Sequence, residues 1–282
     1  MTRIAIVTDS SCDLPDELLK EHNIHLLPLK IIYKDAEFRD RVDIRTEEIY
    51  ERFSEEIPKT SLPSPEDALT LFEDLAQQGY THILGVFISS GLSGTFNMVR
   101  TVTSDFSQAV VELVDSKNLS LAVGFPVLEA ARELARSNDF ERVVERAREA
   151  VTKSKTFFVI KTLEYLRKGG RIGLVEGTIG DLLNIKPIVS VNPEGVYYTF
   201  RKVRGRAKSI QEIYQIAVDE IQNRRVSIGV LHGNAIEEAM ELVHQFKSMS
   251  NVKEVLVEQL CSSLAVHTGP GLLGVVVAEA YE

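Results

Sequence analysis

The chain lacks most of the features that would assign a function directly. Its 282 residues include only two cysteines, Cys12 and Cys261. Their spacing suits neither a zinc site nor a disulfide framework, and free thiols in a reducing cytoplasm are the simplest reading. No stretch approaches the roughly 18 apolar residues that suggest a membrane span. The opening Met1-Thr2-Arg3-Ile4-Ala5-Ile6-Val7-Thr8-Asp9 has an apolar run that stops at an acid, too short for the hydrophobic region of a signal peptide. Walker, GxSxG and HExxH motifs are all missing. Asp9, Asp13 and Asp115 have mostly hydroxyl neighbours, so no metal site is assigned. There is no strong internal repeat and no low-complexity tail. Positive charge is also scarce: 32 Lys and Arg stand against 41 Asp and Glu, a net charge of −9. That excludes a surface that grips nucleic acid throughout, since basic charge supplies such affinity. It leaves room for a local basic patch.

What is present reads as a folded α/β chain. Hydrophobic residues make up 44% and charged residues 26%, and the length suggests about two domains. Nearly continuous apolar runs at Arg3 to Thr8, His82 to Ile88 and Ala109 to Val114 predict strands of a parallel sheet covered on both faces. Ser64-Pro65-Glu66-Asp67 predicts a helix start, with a cap residue, Pro at the first helical position and an acid at the third. That helix should run to about Gln78 and stop at Gly79. Further helices are predicted over Leu119 to Ala135 and Phe140 to about Lys153. In the second half, Phe157 to Ile160 predicts a strand and Leu163 to Lys168 a short helix ended by Gly169-Gly170. An apolar stretch, Val175 to Leu183, precedes Ile185 to Val191. A hairpin is predicted across Asn192-Pro193-Glu194-Gly195. Then come a helix over Ala207 to Gln222, a strand over Val226 to His232, a helix over Ala235 to Phe246, and strands over Val252 to Val257 and Leu272 to Ala280. The expected architecture is two α/β domains, residues 1–155 with a parallel sheet and residues 156–282 with a mixed sheet.

Ligands of parallel sheets sit beyond the carboxyl ends of the strands, and hydroxyl-rich loops fall there. They are Thr8-Asp9-Ser10-Ser11-Cys12-Asp13, Ser89-Ser90-Gly91-Leu92-Ser93-Gly94-Thr95 and Asp115-Ser116; Thr60-Ser61-Leu62-Pro63-Ser64 precedes a helix. Small hydroxyl residues and glycines let backbone amides approach an anion. The same residue types are ordinary turn and cap formers. Arg167-Lys168-Gly169-Gly170-Arg171-Ile172-Gly173 brings an arginine out of a glycine turn, or simply ends a helix. His267-Thr268-Gly269-Pro270-Gly271 offers a histidine donor, or a turn histidine already satisfied. Arg201-Lys202-Val203-Arg204-Gly205-Arg206-Ala207-Lys208 holds five cations and no acid. It suits an acidic or nucleotide-bearing partner as well as a solvated helix entry.

Taken in order, these motifs resemble the DegV family, fatty-acid-binding proteins that serve as carrier subunits of bacterial fatty acid kinase. The resemblance covers essentially the whole chain. It rests on Thr8-Asp9-Ser10 with Cys12-Asp13-Leu14-Pro15, Thr60-Ser61 with Pro63-Ser64-Pro65, Leu92-Ser93-Gly94-Thr95 and Asp115-Ser116. It continues through Lys168-Gly169-Gly170-Arg171-Ile172, Leu183-Asn184-Ile185-Lys186-Pro187-Ile188 and His267-Thr268-Gly269-Pro270-Gly271. Leu62, Phe96 to Val99 and His232-Gly233-Asn234 depart from the family pattern, and these positions bear on acyl-chain preference.

The resemblance implies two α/β domains with a long-chain fatty acid between them and no other cofactor. Its carboxylate would lie near Thr60 or Ser61, Ser93 and the Gly94 amide. Arg171, His267 and Thr268 would complete the polar end. The protein would then be no enzyme itself. It would present the carboxylate to a separate ATP-dependent kinase subunit for acyl phosphate formation, supplying phospholipid synthesis in the cytoplasm. Arg201, Lys202, Arg204 and Arg206 are the candidate docking residues. No nucleic acid or metal is expected, and membrane contact would be transient and at the surface. Two other classes remain open: a hydrolase of acyl esters or acyl phosphates acting through Ser93, and a sensor for another anionic lipid.

Overall fold

The computed structural model describes residues 2–178 and 185–281. Leu183 and Asn184, and the end of the stretch from Val175 to Leu183, lie outside the described residues. β1 (Ile4–Asp9) is buried along its whole length, as a strand is when both faces of its sheet are covered. A 3-10 turn (Ser10–Cys12) leads to α1 (Asp16–Glu21) and to β2 (Ile24–Leu27), parallel to β1. The sequence is silent about the next segment. There β3 (Lys30–Ile32), β4 (Glu37–Arg39), α2 (Thr46–Arg52) and β5 (Lys59–Ser61) form, with the strands in a small antiparallel sheet of order β4-β3-β5. Three-residue strands are too short to show an alternating pattern.

α3 (Pro65–Gln77) starts where Ser64-Pro65 predicts. The Asp67 amide donates to Ser64 Oγ and the Ser64 amide to Asp67 Oδ2, both at 3.0 Å. β6 (His82–Phe87), α4 (Thr95–Val102) and β7 (Val110–Asp115) complete an all-parallel sheet of order β2-β1-β6-β7. α5 (Leu121–Ser137) and α6 (Phe140–Thr152) follow, and then the chain enters a second sheet. Its elements are β8 (Ser154–Val159), α7 (Glu164–Lys168), a 3-10 segment (Gly173–Thr178), β9 (Ile185–Val191), β10 (Tyr197–Arg204), α8 (Arg206–Ile221) and β11 (Val226–His232). α9 (Ile236–Lys247), β12 (Val252–Gln259), α10 (Ser262–Thr268) and β13 (Leu273–Glu279) end it. The strand order is β10-β9-β8-β13-β11-β12, mixed, and among the described residues only β11 and β12 pair in parallel.

The packing is layered. On one face of the parallel sheet, Phe72 and Leu75 of α3 and Val99 of α4 cover Ala5, Val7, Ile83 and Phe87. On the far face of the mixed sheet, Ile213 and Ile216 of α8 and Val243 and Phe246 of α9 cover Phe157, Ile228 and Val275. α5 lies between the sheets, touching β1 and β6 on one side and β8, β11 and β13 on the other. This explains why its sequence is apolar nearly all round. Its polar tie to the mixed sheet is Arg132, which reaches Glu129 at 2.6 Å and grips Glu254 of β12 with two hydrogen bonds of 2.8 and 2.9 Å. Among the described residues no helix is long and apolar enough to cross a membrane.

Candidate functional site

A cavity of about 130 Å³ opens where the loop after β6 faces β5 and α10. It sits beyond the carboxyl end of the parallel sheet, where such folds bind ligands. Its polar wall brings together Thr60, Ser61, Ser93, Gly94, Arg171 and His267, with Ser263 beside them. Its apolar wall is Leu29, Leu62, Ile88, Leu92, Tyr197 and Leu264. Among the described residues, no acid lines it. Six of the seven residues singled out from sequence therefore converge, although they are spread from position 60 to position 267. Thr268 does not join them, because its hydroxyl donates to Leu264 O at 3.1 Å within its own helix.

His267 is the centre of the polar wall. It is not a turn histidine: it stands on α10, a seven-residue helix whose residues are all buried. Its Nε2 is 2.7 Å from Thr60 Oγ1, and its Nδ1 is buried without a partner. Burial, assisted by the Arg171 charge, pushes the imidazole down to about 4, so it is neutral at physiological pH. A buried N–H without an acceptor is the costlier defect. The proton is therefore assigned to Nε2, which donates to Thr60. The Thr60 hydroxyl hydrogen is then free to point into the cavity. Successive residues of a strand face opposite sides, so in β5 this pairing turns Thr60, not Ser61, toward His267.

The other donors are placed by local geometry. Gly94 is the N-cap of α4 and carries no side chain, so the positive end of that helix is covered only by Ser93 Oγ, which accepts the Thr95 amide at 3.3 Å. Ser93 Oγ lies 2.8 Å from Thr95 Oγ1. Arg171 Nη1 donates to Gly169 O at 2.7 Å, and among the described residues Arg171 is in no ion pair. The two glycines before it serve different ends. Gly170 has φ +69° with open space around its α-carbon, a backbone that favours glycine. A Cβ on Gly169 would lie 2.0 Å from His267 Nδ1, so the backbone there is a seat for the histidine ring.

The remaining hydroxyl loops turn out to be structural. Asp9 accepts the Ser11 amide at 2.9 Å and the Ile88 amide at 2.7 Å, tying the end of β1 to the end of β6. Asp13 accepts the Ser120 hydroxyl and, at 2.9 Å, the Cys261 amide. Asp40, which no sequence signal marks, accepts Ser10 Oγ at 2.8 Å and the Ser262 amide at 3.0 Å. Asp13 and Asp40 thus anchor the start of α10 and so set the height of His267. Burial raises Asp9 and Asp13 to about 6. Asp115 holds Lys117 at 2.8 Å and the Ser90 amide at 3.1 Å. Cys12 and Cys261 are free and buried, and burial raises both thiols. Sequence reasoning missed Tyr197, Ser263 and Leu264. Tyr197 sits in a recognised hairpin, with no signal for which face it would show. The other two lie on α10, which at seven residues has no readable period.

The basic run is less bare than it reads. Arg201, Lys202 and Arg204 are exposed on β10, an edge strand of the mixed sheet. Arg201 pairs with Glu212, and Arg206, at the start of α8, pairs with Glu238 at 2.5 Å. The neutralising acids come from α8 and α9, so the run itself could not show them.

The family profile described as "Uncharacterised protein, DegV family" matches residues 3–280. A DegV domain-containing protein of Clostridium acetobutylicum is 43% identical over 280 residues, covering 99% of this chain and 100% of that one. A DegV family protein from Thermus thermophilus, solved for its fatty acid binding, superposes with a TM-score of 0.92 at 31% identity, covering 99% and 100% of the two chains. DegV from Bacillus subtilis, described as a fatty acid binding protein, superposes with a TM-score of 0.91 at 28% identity over the same shares. The chain belongs to the DegV family.

Proposed function

We propose that the protein binds a long-chain fatty acid and presents its carboxylate to a separate ATP-dependent kinase. The observation that carries this reading is the convergence of Thr60, Ser93, Gly94, Arg171 and His267 on one cavity whose opposite wall is apolar and which, among the described residues, has no acid in its lining. A carboxylate leaving water needs several donors at once. Here two hydroxyls, a helix N-terminus and a guanidinium supply them. The Thr60 hydroxyl, freed by the His267 bond, is the donor nearest the histidine. The cavity, about 130 Å³, amounts to about four waters at about 30 Å³ each. It suits the head group and first carbons, and the tail would follow the Leu29, Ile88, Leu92 and Leu264 side. Each buried methylene adds about 0.8 kcal/mol, so chain length dominates affinity. The fatty acid binding of the Thermus and Bacillus relatives supports the ligand class.

In the kinase reaction a carboxylate oxygen attacks the γ-phosphorus of ATP. An O–P bond forms, the bond to the β-phosphate oxygen breaks, and ADP leaves. ATP and its metal come with the partner, since this chain has no phosphate-binding loop of the Walker type. Its own residues hold the carboxylate and offset charge. Lys202 and Arg204, exposed and unpaired by Glu212 or Glu238, are the proposed docking contacts.

A Ser93 hydrolase is disfavoured by one distance: His267 Nε2 bonds Thr60 at 2.7 Å, and the group beside Ser93 Oγ is the Thr95 hydroxyl, which is no base. The test is native mass spectrometry of freshly purified protein, followed by extraction. A mass excess of one fatty acid per chain is expected. Protein that arrives empty and takes up neither palmitate nor oleate would refute the reading, as would release of a different anionic lipid.

A further inference from the structure

Tyr197 opens β10 in the mixed sheet, paired with Val191 of β9. It is 3% exposed and lines the head-group cavity. Its ring packs edge-on against Phe158 at 5.3 Å, so the apolar part of the side chain has its partner. The hydroxyl does not: among the described residues it makes no hydrogen bond. The Arg171 charge acts on the phenol, and Arg171 belongs to the polar wall of the same cavity, so the hydroxyl end of the ring is the end turned toward that wall. A phenylalanine would fill the same space against Phe158. An unpaired hydroxyl in the interior costs free energy, and a buried tyrosine usually finds a partner for it. Here the fold supplies none, which points to the ligand.

The phenol is also held in place. The 3-10 segment packs against its backbone, where a Cβ on Gly173 would fall 2.7 Å from Tyr197 O. The hairpin tip before it is tied to the loop after β6, since Ser89 Oγ donates to Gly195 O at 2.8 Å. A donor fixed before the ligand arrives loses little freedom on binding. Burial pushes the ionisation of the phenol up, so it stays a donor throughout the neutral range. We propose that the Tyr197 hydroxyl donates to the carboxylate of the bound fatty acid. Thr60 then comes from the small sheet, Ser93 and Gly94 from the end of the parallel sheet and Tyr197 from the mixed sheet, so a seated head group ties all three together. The inference rests on the fatty-acid reading and adds a residue to its site.

The test is Tyr197→Phe, which removes one oxygen and keeps the ring, in delipidated protein with palmitate as the probe. Calorimetric titration should show binding about 10- to 150-fold weaker than in the parent, the worth of a hydrogen bond to a charged group. The urea midpoint of the empty variant should equal or exceed that of the empty parent, because the unpaired hydroxyl is gone. A role in packing alone would move both readings the same way, or neither. The chain has eight tyrosines and no tryptophan, so its near-ultraviolet absorption reports phenols. Palmitate should shift part of that absorption to longer wavelength in the parent and not in the variant. Binding within threefold of the parent overturns the role of Tyr197, as does weaker binding accompanied by a lower midpoint, or an absorption change that is the same in both proteins. A parent that takes up no palmitate removes the fatty-acid reading and the role of Tyr197 with it.

Discussion

Gly169→Ala should unseat His267 while leaving every donor of the site in the chain. The new Cβ would fall 2.0 Å from Nδ1 and 2.7 Å from Cε1 of the ring, and 3.2 Å from Tyr165 O. Comfortable contacts begin near 3.5 Å, so backbone and ring must part by roughly 1.5 Å. The ring has little room to retreat, since every residue of α10 is buried and Asp13 and Asp40 pin its first turn. Overpacking of this kind costs about 1–3 kcal/mol. A shift of that size also breaks the Thr60 bond, adding about 0.5–1.5 kcal/mol. The variant should therefore lose about 2–4 kcal/mol, read as a lower urea midpoint at unchanged slope. Palmitate binding should weaken by about 10- to 150-fold, the worth of one hydrogen bond to a charged group at about 1.5–3 kcal/mol. Gly170→Ala is the control. Its φ of +69° penalises alanine, but nothing lies within 4 Å, so it should cost about 1–2 kcal/mol and leave binding intact. If Gly169→Ala binds palmitate within threefold of the parent, the glycine is no seat and His267 does not position the head group.

Two further outcomes follow from charge. Burial raises Asp9 and Asp13 to about 6 from 3.8, so their contribution to stability is full below about pH 4 and is lost as pH rises through 6. His267 is lowered to about 4 from 6.5, so its contribution is full above 6.5 and is lost as pH falls through 4. His267→Gln removes only the second effect. Between pH 6.5 and 4 the parent should lose about 3 kcal/mol relative to the variant, at about 1.4 kcal/mol per pH unit. Urea midpoints for both proteins at pH 4.5, 5.5 and 6.5 measure this, and a constant difference would mean the imidazole is not buried neutral. At the edge strand, Lys202→Glu with Arg204→Glu should cut kinase-dependent acyl phosphate formation at least fivefold and spare palmitate affinity. Unchanged turnover would make the run solvated surface.

The long elements were legible because each carries a period or a punctuation mark. β1, β6 and β11 read as continuous apolar runs, and α3 announces itself through Ser64, Pro65 and Gly79. The small sheet over residues 30–61 and the helix α10 were not legible. Their pieces are three and seven residues long, too short for a pattern, and tertiary contacts hold them. The same holds for the site. Ser93-Gly94 and Thr60-Ser61 were visible as hydroxyl loops, but so was Thr8 to Asp13, and residue type alone did not separate anion donors from caps. Asp40 separates them in space. It takes the Ser10 hydroxyl and the Ser262 amide, which commits the first loop to holding α10 and leaves the second and fourth to face the cavity.

Sequence by itself determined the class of fold, the order of the main strands and helices, the family, and most of the residues that meet at the site, because these depend on local pattern and on motifs in fixed order. Tertiary structure decided which of Thr60 and Ser61 faces His267, why Gly169 must be glycine, and which cations of the basic run are already neutralised. Each of these depends on groups far apart in the chain meeting within about 3 Å, the distance at which hydrogen bonds and steric contacts act, and no local pattern records such a meeting.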